Sequence, residues 1–186
     1  MGVIVLTFVT GCIFPLVLFA LGRLFYSSQA GGSLVTRNGV VVGSRLIGQD
    51  FSRPEYFHPR PSAAGTGYDG ASSGGTNLGP SNRKLIEDVR QQAEKYRINN
   101  GLPPDATVPI DAVTRSGSGL DPHISPRNAA LQVSRVARAR GLSEDVVRRL
   151  VDGHTQGAQV GFMGNARVPV LELNLALDQA APLKSR

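Results

Sequence analysis

The sequence predicts an α+β protein: one N-terminal transmembrane helix followed by a single soluble domain with a small β-sheet and about three helices. Three observations predict it. Residues Met1 to Gly22 carry no charged side chain and are long enough, at about 1.5 Å per residue, to cross a hydrocarbon core. Apolar residues recur at helical spacing in three later stretches, each preceded by a cap residue. Two short runs rich in valine or leucine, one at each end of the remaining chain, carry strand patterning. Strands at both ends with helices between them give segregated α and β elements rather than alternating βαβ units. The organisation is a membrane helix over 1–25, a linker over 26–33 and the domain over 34–186.

In the first run, Pro15 sits near the middle and is expected to kink the helix; a neighbouring protein helix can satisfy the carbonyl it frees. The small residues Gly11 and Ala20 suit close packing against such a helix. A cleaved signal peptide is the rival reading, with Ser28-Gln29-Ala30 as its small-x-small site. No Lys or Arg precedes the run, however, and it exceeds the ~7–15 residues of a signal core, so a retained anchor in lipid is expected. Arg23, Arg37 and Arg45 follow it, and a positive-inside count leaves the following domain in the cytoplasm.

The chain's 186 residues hold one domain plus an anchor. Apolar residues make up 41 %, enough for a core, and 22 Gly with 12 Pro demand many turns. The net charge of +6 comes from basic residues scattered among acids. No aromatic-plus-basic signature accompanies them, which excludes nucleic acid; an acidic protein surface or lipid head groups suit this charge. Cys12 is the only cysteine, so no internal disulfide forms.

Along the domain, Leu34–Thr36 and Val40–Val42 flank Asn38-Gly39, a hairpin signal. Pro54, Pro59 and Pro61 exclude regular helix from Arg53 to Ala63, and Tyr56, Phe57 and His58 pin that irregular segment to the core. The glycine-rich stretch Ala64 to Asn82 leads into a helix over Asn82 to Ile98 with Ser81 as cap and Leu85, Ile86, Val89, Ala93 and Tyr96 as its stripe. Such a loop can cradle an anion. It is not a P-loop, because no Gly-Lys-Ser/Thr follows and no strong strand precedes it. Leu102 to Asp111 is an extended connector ending in a helical turn over Asp111 to Thr114. Ser125 caps a helix with Pro126 at its first position and Gly141 just past its end. Ala129, Val133, Val136 and Ala137 form its apolar face, flanked by Arg127, Arg135 and Arg138. Ser143 caps a further helix, Glu144 to His154. After a loop over Gly153 to Gly164, Leu171, Leu173, Leu175 and Leu177 alternate within Arg167 to Asp178, which predicts a strand with one buried face.

The polar loop Ser116 to Ser125 holds the residues of chemical interest. Ser116, Ser118, Asp121 and His123, with His154, are the ingredients of a nucleophilic triad, but Gly117-Ser118-Gly119 lacks the frame of a nucleophile elbow and no strand leads into it. Asp121 and His123 lack the second pair that would complete a metal site, and Asp121-Pro122 fits turn chemistry. Two readings stay open from the residues. One is a protein-contact surface made of Ser116, Gly117, Ser118, Gly119, Asp121 and His123 with Arg127, Arg135 and Arg138. The other is a membrane-anchored extracytoplasmic serine hydrolase using Ser118 and His123.

The segments GSRLIGQDFSRPEYFHPRPSA, SSGGTNLGPSN, VTRSGSGLDPHISPRNAALQVSRVARARGL, LVDGHT and RVPVLELNLALD closely resemble the KdpC family, the C subunit of the Kdp potassium-transporting P-type ATPase of bacteria and archaea. The resemblance runs nearly the whole chain, including the single membrane helix. Departures are Thr76, where Ser or Gln often follows the glycine run, Gln156-Gly157-Ala158, where an Arg is common, and Pro169. The resemblance implies a non-catalytic accessory subunit that stabilises the assembly and raises the ATP affinity of the ATP-hydrolysing subunit. The implied partners are a potassium-channel-like subunit, that P-type ATPase subunit and a small single-span subunit; potassium is the transported ion. It also implies the inner (plasma) membrane, single-pass, with the domain outside the cytoplasm, opposite to the positive-inside count. Ser72 to Thr76 looks like a degenerate ABC-transporter signature, and Ser73, Gly74, Gly75 and Thr76 are the ATP-linked loop the resemblance implies. N-terminal sequencing of the mature protein is expected to find the apolar run still attached; a start at Gly31 means that it is cleaved.

Overall fold

Pro15 has no N–H to give, and in a regular helix its ring would press on the carbonyl four residues back. The computed structural model, which describes residues 1–183, accommodates it by widening the preceding turn. Helix α1 (Gly2–Phe8) runs into a π-helical turn over Val9–Ile13, and α2 (Phe14–Phe25) begins with Pro15 in its first turn. The Phe14 N–H reaches back five residues to the Val9 carbonyl. The helix thus meets Pro15 with a π turn just before it. Together Gly2–Phe25 make a helical run of 24 residues with no buried side chain. A helix that is apolar all round and long enough to cross a bilayer belongs in lipid or against another protein.

The chain divides into two compact units, Met1–Leu46 and the residues from Ile47 onward. The first is completed by a helical turn α3 (Ser27–Ala30) and the expected hairpin, β1 (Leu34–Arg37) paired antiparallel with β2 (Val40–Ser44). Asn38 and Gly39 both take positive φ, 52° and 78°, as the twist of a two-residue hairpin turn requires.

The second unit contains α4 (Arg83–Asn100), α5 (Ile110–Val113), β3 (His123–Ile124), α6 (Pro126–Arg140), α7 (Glu144–His154), β4 (Val168–Pro169) and α8 (Val170–Ala180). Strands β3 and β4 pair antiparallel, His123 opposite Pro169 and Ile124 opposite Val168. The α+β class holds. The strand expected over 167–178 does not: Arg167 makes a single bridge to Gln156, Val168 and Pro169 pair with β3, and the leucines lie on α8. Val170, Leu171, Leu173, Asn174 and Leu177 are the buried positions, a helical set that happens also to contain an alternating run. So short an apolar stretch fits either period, and Leu, Glu, Ala and Gln favour the helix. Asn82, not Ser81, caps α4 by accepting from the Lys84 N–H at 2.9 Å. Ser125 caps α6 through the Asn128 N–H at 3.1 Å, whereas Ser143 occupies the cap position of α7 without a side-chain bond.

Ala129, Val133, Val136 and Ala137 of α6 are buried against Val147 and Val151 of α7 and Leu173 and Leu177 of α8. The proline-rich segment lies across this core with no strand beside it, so side chains satisfy its backbone. Asn174 accepts from the Phe57 N–H at 2.8 Å and donates to the Phe57 carbonyl at 2.9 Å. Gln132 does the same for His58, at 2.7 and 3.1 Å. Arg135 donates to the carbonyls of Pro54 and Tyr56, and Arg140 to that of Glu55. Phe57 is thereby pinned with 0 % of its surface exposed, which fits the expected role of the aromatic cluster. Asn174→Ala strips both partners from Phe57 in a buried place, and each orphaned group costs about 1–3 kcal/mol. We expect a loss of about 2–5 kcal/mol in urea unfolding of the full chain in detergent, whereas exposed Arg138→Ala stays within about 0.5 kcal/mol.

Candidate functional site

Two glycine-rich stretches far apart in sequence meet to form one site. The Gly74 N–H donates to the Ser118 carbonyl at 2.9 Å, and the Ser73 hydroxyl donates to the same oxygen at 3.0 Å. Gly75 lies so close to Gly117 that a Cβ on it would sit 3.0 Å from the Gly117 oxygen. Gly119 has φ +70°, and a Cβ there would be 2.6 Å from both the Ala64 nitrogen and the Gly74 oxygen. Glycine is required on both counts. Ser62 ties the rim: its hydroxyl donates to the Gly119 carbonyl at 2.7 Å and accepts from the N–H groups of Ala64 and Tyr68. Tyr68 donates to the Arg60 carbonyl at 2.7 Å, and burial pushes its phenol pKa well above the usual range. The predicted ATP-linked loop and the predicted contact loop are thus one hydrogen-bonded body. Thr76, half-buried, lines a small recess against Leu85 and Val89 of α4.

Asp121 organises the far end. Arg60 Nη1 donates to its Oδ2 at 2.8 Å, and the His123 N–H donates to its Oδ1 at 3.0 Å with His123 Nδ1 3.2 Å away. Burial pushes the Asp121 carboxyl up, but the two His123 contacts and the Arg60 guanidinium outweigh it and bring the pKa down to about 2. Ser118 Oγ accepts from the Leu120 N–H at 3.1 Å and lies 3.4 Å from Ser116 Oγ. Among the described residues no hydrogen bond joins Ser118 to His123, and His154 turns its Nδ1 to the Leu150 carbonyl. The hydrolase reading finds no nucleophile–base pair. No three His, Cys, Asp or Glu side chains among the described residues cluster to hold a metal.

The arginines separate. Arg127 and Arg138 are exposed. Arg135, expected at a contact surface, is 9 % exposed and donates to Asn100, Gln132, Pro54 and Tyr56, all neutral acceptors. Burial brings its pKa down to about 10. Its position beside the apolar stripe points it inward, which corrects the sequence reading. Asp111 was not singled out at all. It accepts from the Ser125 N–H, the Ser125 hydroxyl and Asn128 Nδ2 at 2.8–2.9 Å, a carboxylate seated at the N-terminus of α6. Its signal is weak, since the helix it seats begins more than a dozen residues later. Arg60 and Ser62 likewise join the site only through the fold.

The family model for the K+-transporting ATPase c chain, KdpC, matches residues 1–179. The chain belongs to the KdpC family. Three relatives are each named potassium-transporting ATPase KdpC subunit. The protein from Koribacter versatilis is 51 % identical over 181 residues, 97 % of this chain and 92 % of the relative. That of Mycobacterium bovis is 53 % identical over 176 residues, 95 % and 93 %. That of Beijerinckia indica is 49 % identical over 183 residues, 98 % and 92 %. The joined glycine loops of this KdpC-family chain lie inside the matched region.

Gly119→Val forces a branched side chain into the Ala64 and Gly74 backbone at positive φ. Amide hydrogen exchange is expected to quicken across both 62–76 and 116–123, not in one stretch alone. The pH dependence follows from Asp121. Its folded pKa lies below the ordinary 3.8, so its contribution is complete above that value and lost as pH falls toward about 2. Protection of the amides in the same two stretches, relative to unstructured amides at the same pH, is expected to fall over that acid window, and Asp121→Asn to abolish the dependence.

Proposed function

We propose that this chain is a non-catalytic accessory subunit of a potassium-transporting ATPase. It is held in the inner membrane by the single helix Gly2–Phe25, with its domain outside the cytoplasm, and it stabilises the assembly of a potassium-channel-like subunit, the ATP-hydrolysing subunit and a small single-span subunit. The observation that carries this is the match over both chains' lengths to relatives named as subunits of that ATPase. The helix supports it too: its apolar surface is bare on every side, as a helix needs that meets lipid and partner helices.

The surface that meets the partners is the joined pair of loops, with Ser116, Gly117, Ser118, Asp121 and His123 on one and Ser73 to Thr76 on the other, continued by exposed Arg127 in the first turn of α6; exposed Arg138, in the last turn of that helix, is a separate contact. The chain raises the ATP affinity of the hydrolysing subunit through that contact. The Gly74 N–H and Ser73 hydroxyl already serve the Ser118 carbonyl, which favours a scaffold over a phosphate cradle. A tagged chain is expected to retain the other subunits in detergent. In the purified complex, Gly119→Val is expected to raise the KM for ATP and cut potassium-stimulated ATPase activity severalfold. Arg138→Ala is expected to cost little, because one exposed ion pair is worth only about 0.2–1 kcal/mol. Unchanged kinetics in an assembled Gly119→Val complex would remove these loops from the coupling path.

A further inference from the structure

We propose that residues 155–167 form a docking arm whose tip, Val160, Phe162 and Met163, seats in an apolar socket on another protein subunit of the ATPase. This rests on reading the chain as such a subunit. The arm leaves the end of α7 and returns to β4. Two hydrogen-bonded rungs build it: Gln156 and Arg167 exchange backbone bonds of 2.8 and 2.9 Å, and Gln159 and Met163 exchange bonds of the same lengths. At and beyond the second rung the turn exposes its apolar side chains, with Val160 82 %, Phe162 79 % and Met163 55 % exposed.

Val160 carries the argument furthest. Its φ is +53°, a region that a β-branched residue enters only at a cost. Gly161 and Gly164, which tolerate such angles, also take positive φ, 83° and 80°. A glycine would relieve position 160, yet a valine stands there with its side chain in water. Strain of that kind, in a turn held by two rungs, fits a side chain kept for what it touches.

The chemistry of the arm selects its occupant. From Thr155 to Ala166 there is no charged residue, in a chain in which 18 % of residues are charged. A segment that reads a lipid surface places Lys or Arg beside its apolar residues, and this one has none above its base. A charge-free tip with Phe and Met is the composition of the buried centre of a protein interface. The socket is accordingly a pocket for a phenyl ring with aliphatic walls, without a carboxylate to pair.

The test uses the full chain co-expressed with the other ATPase subunits and extracted as a complex. The photo-crosslinker benzoylphenylalanine is placed at position 162, or at position 179, exposed on α8, as the control. Irradiation is expected to join position 162 to one identified ATPase subunit at about ten times the control yield, the difference a well-packed anchor makes. With the crosslinker at 163 instead, Phe162→Ser is expected to cut the adduct by a similar factor. Equal yields at 162 and 179, adducts with lipid alone, or an adduct indifferent to Phe162→Ser each overturn the socket. If the unmodified tagged chain retains the ATPase subunits while position 162 captures none, only the arm falls. If it retains none, the subunit reading falls and the arm's occupant with it.

Discussion

The second unit depends on one arrangement: backbone that would ordinarily pair with a strand is paired with side chains instead. The segment from Pro54 to His58 crosses the core with prolines close on both sides, and a buried N–H or carbonyl without a partner is costly. Asn174 and Gln132 each present an amide whose oxygen and nitrogen match one residue's N–H and carbonyl. Two helices thus act as the edge of a sheet that is not there. Gln132 is in turn held by Asn128 and Arg135, and Asn128 by Asp111 and Tyr96. The polar chain down α6 ties the seating of that helix to the seating of the segment.

From there the order spreads to the glycine loops. Arg60 and Ser62 follow directly on the clamped segment, and they hold Asp121 and Gly119. A site whose loops would be soft alone is fixed at one end by the core and at the other by β3, which begins at His123. This is how a rigid recognition surface can be made almost without regular secondary structure. Its precision comes from close backbone approach: at Gly119 atoms lie nearer than any side chain could allow, and at Gly75 they leave only a tight fit.

What could be read from the sequence was local. The hairpin turn at Asn38-Gly39, the caps and stop of α6 and the apolar face of α6 each depend on residues within a few positions of one another. The clamps do not: Asn174 and Phe57 are 117 positions apart, and Gln132 and His58 are 74. An amide among leucines gives no sign of which backbone it will meet. Arg135 was misassigned for a related reason, since an arginine at the edge of an apolar stripe looks the same whether it snorkels outward or turns in. The leucines of α8 misled by satisfying two periods at once. The meeting of Gly74 with Ser118 left only the absence of side chains as a trace.

The burial of Arg135 has an electrical consequence. Its acceptors are neutral, so its positive charge is stabilised by carbonyl and amide dipoles, with no hydrogen bond to a carboxylate among the described residues. Part of the chain's net +6 is therefore stored inside the fold. Dissolved ions screen charges such as those of Arg127 and Arg138 over about 10 Å at 0.1 M salt, and an interior charge far less. The hydrogen bonds that hold that interior charge are therefore far less sensitive to salt than any ion pair that Arg127 or Arg138 makes at the surface.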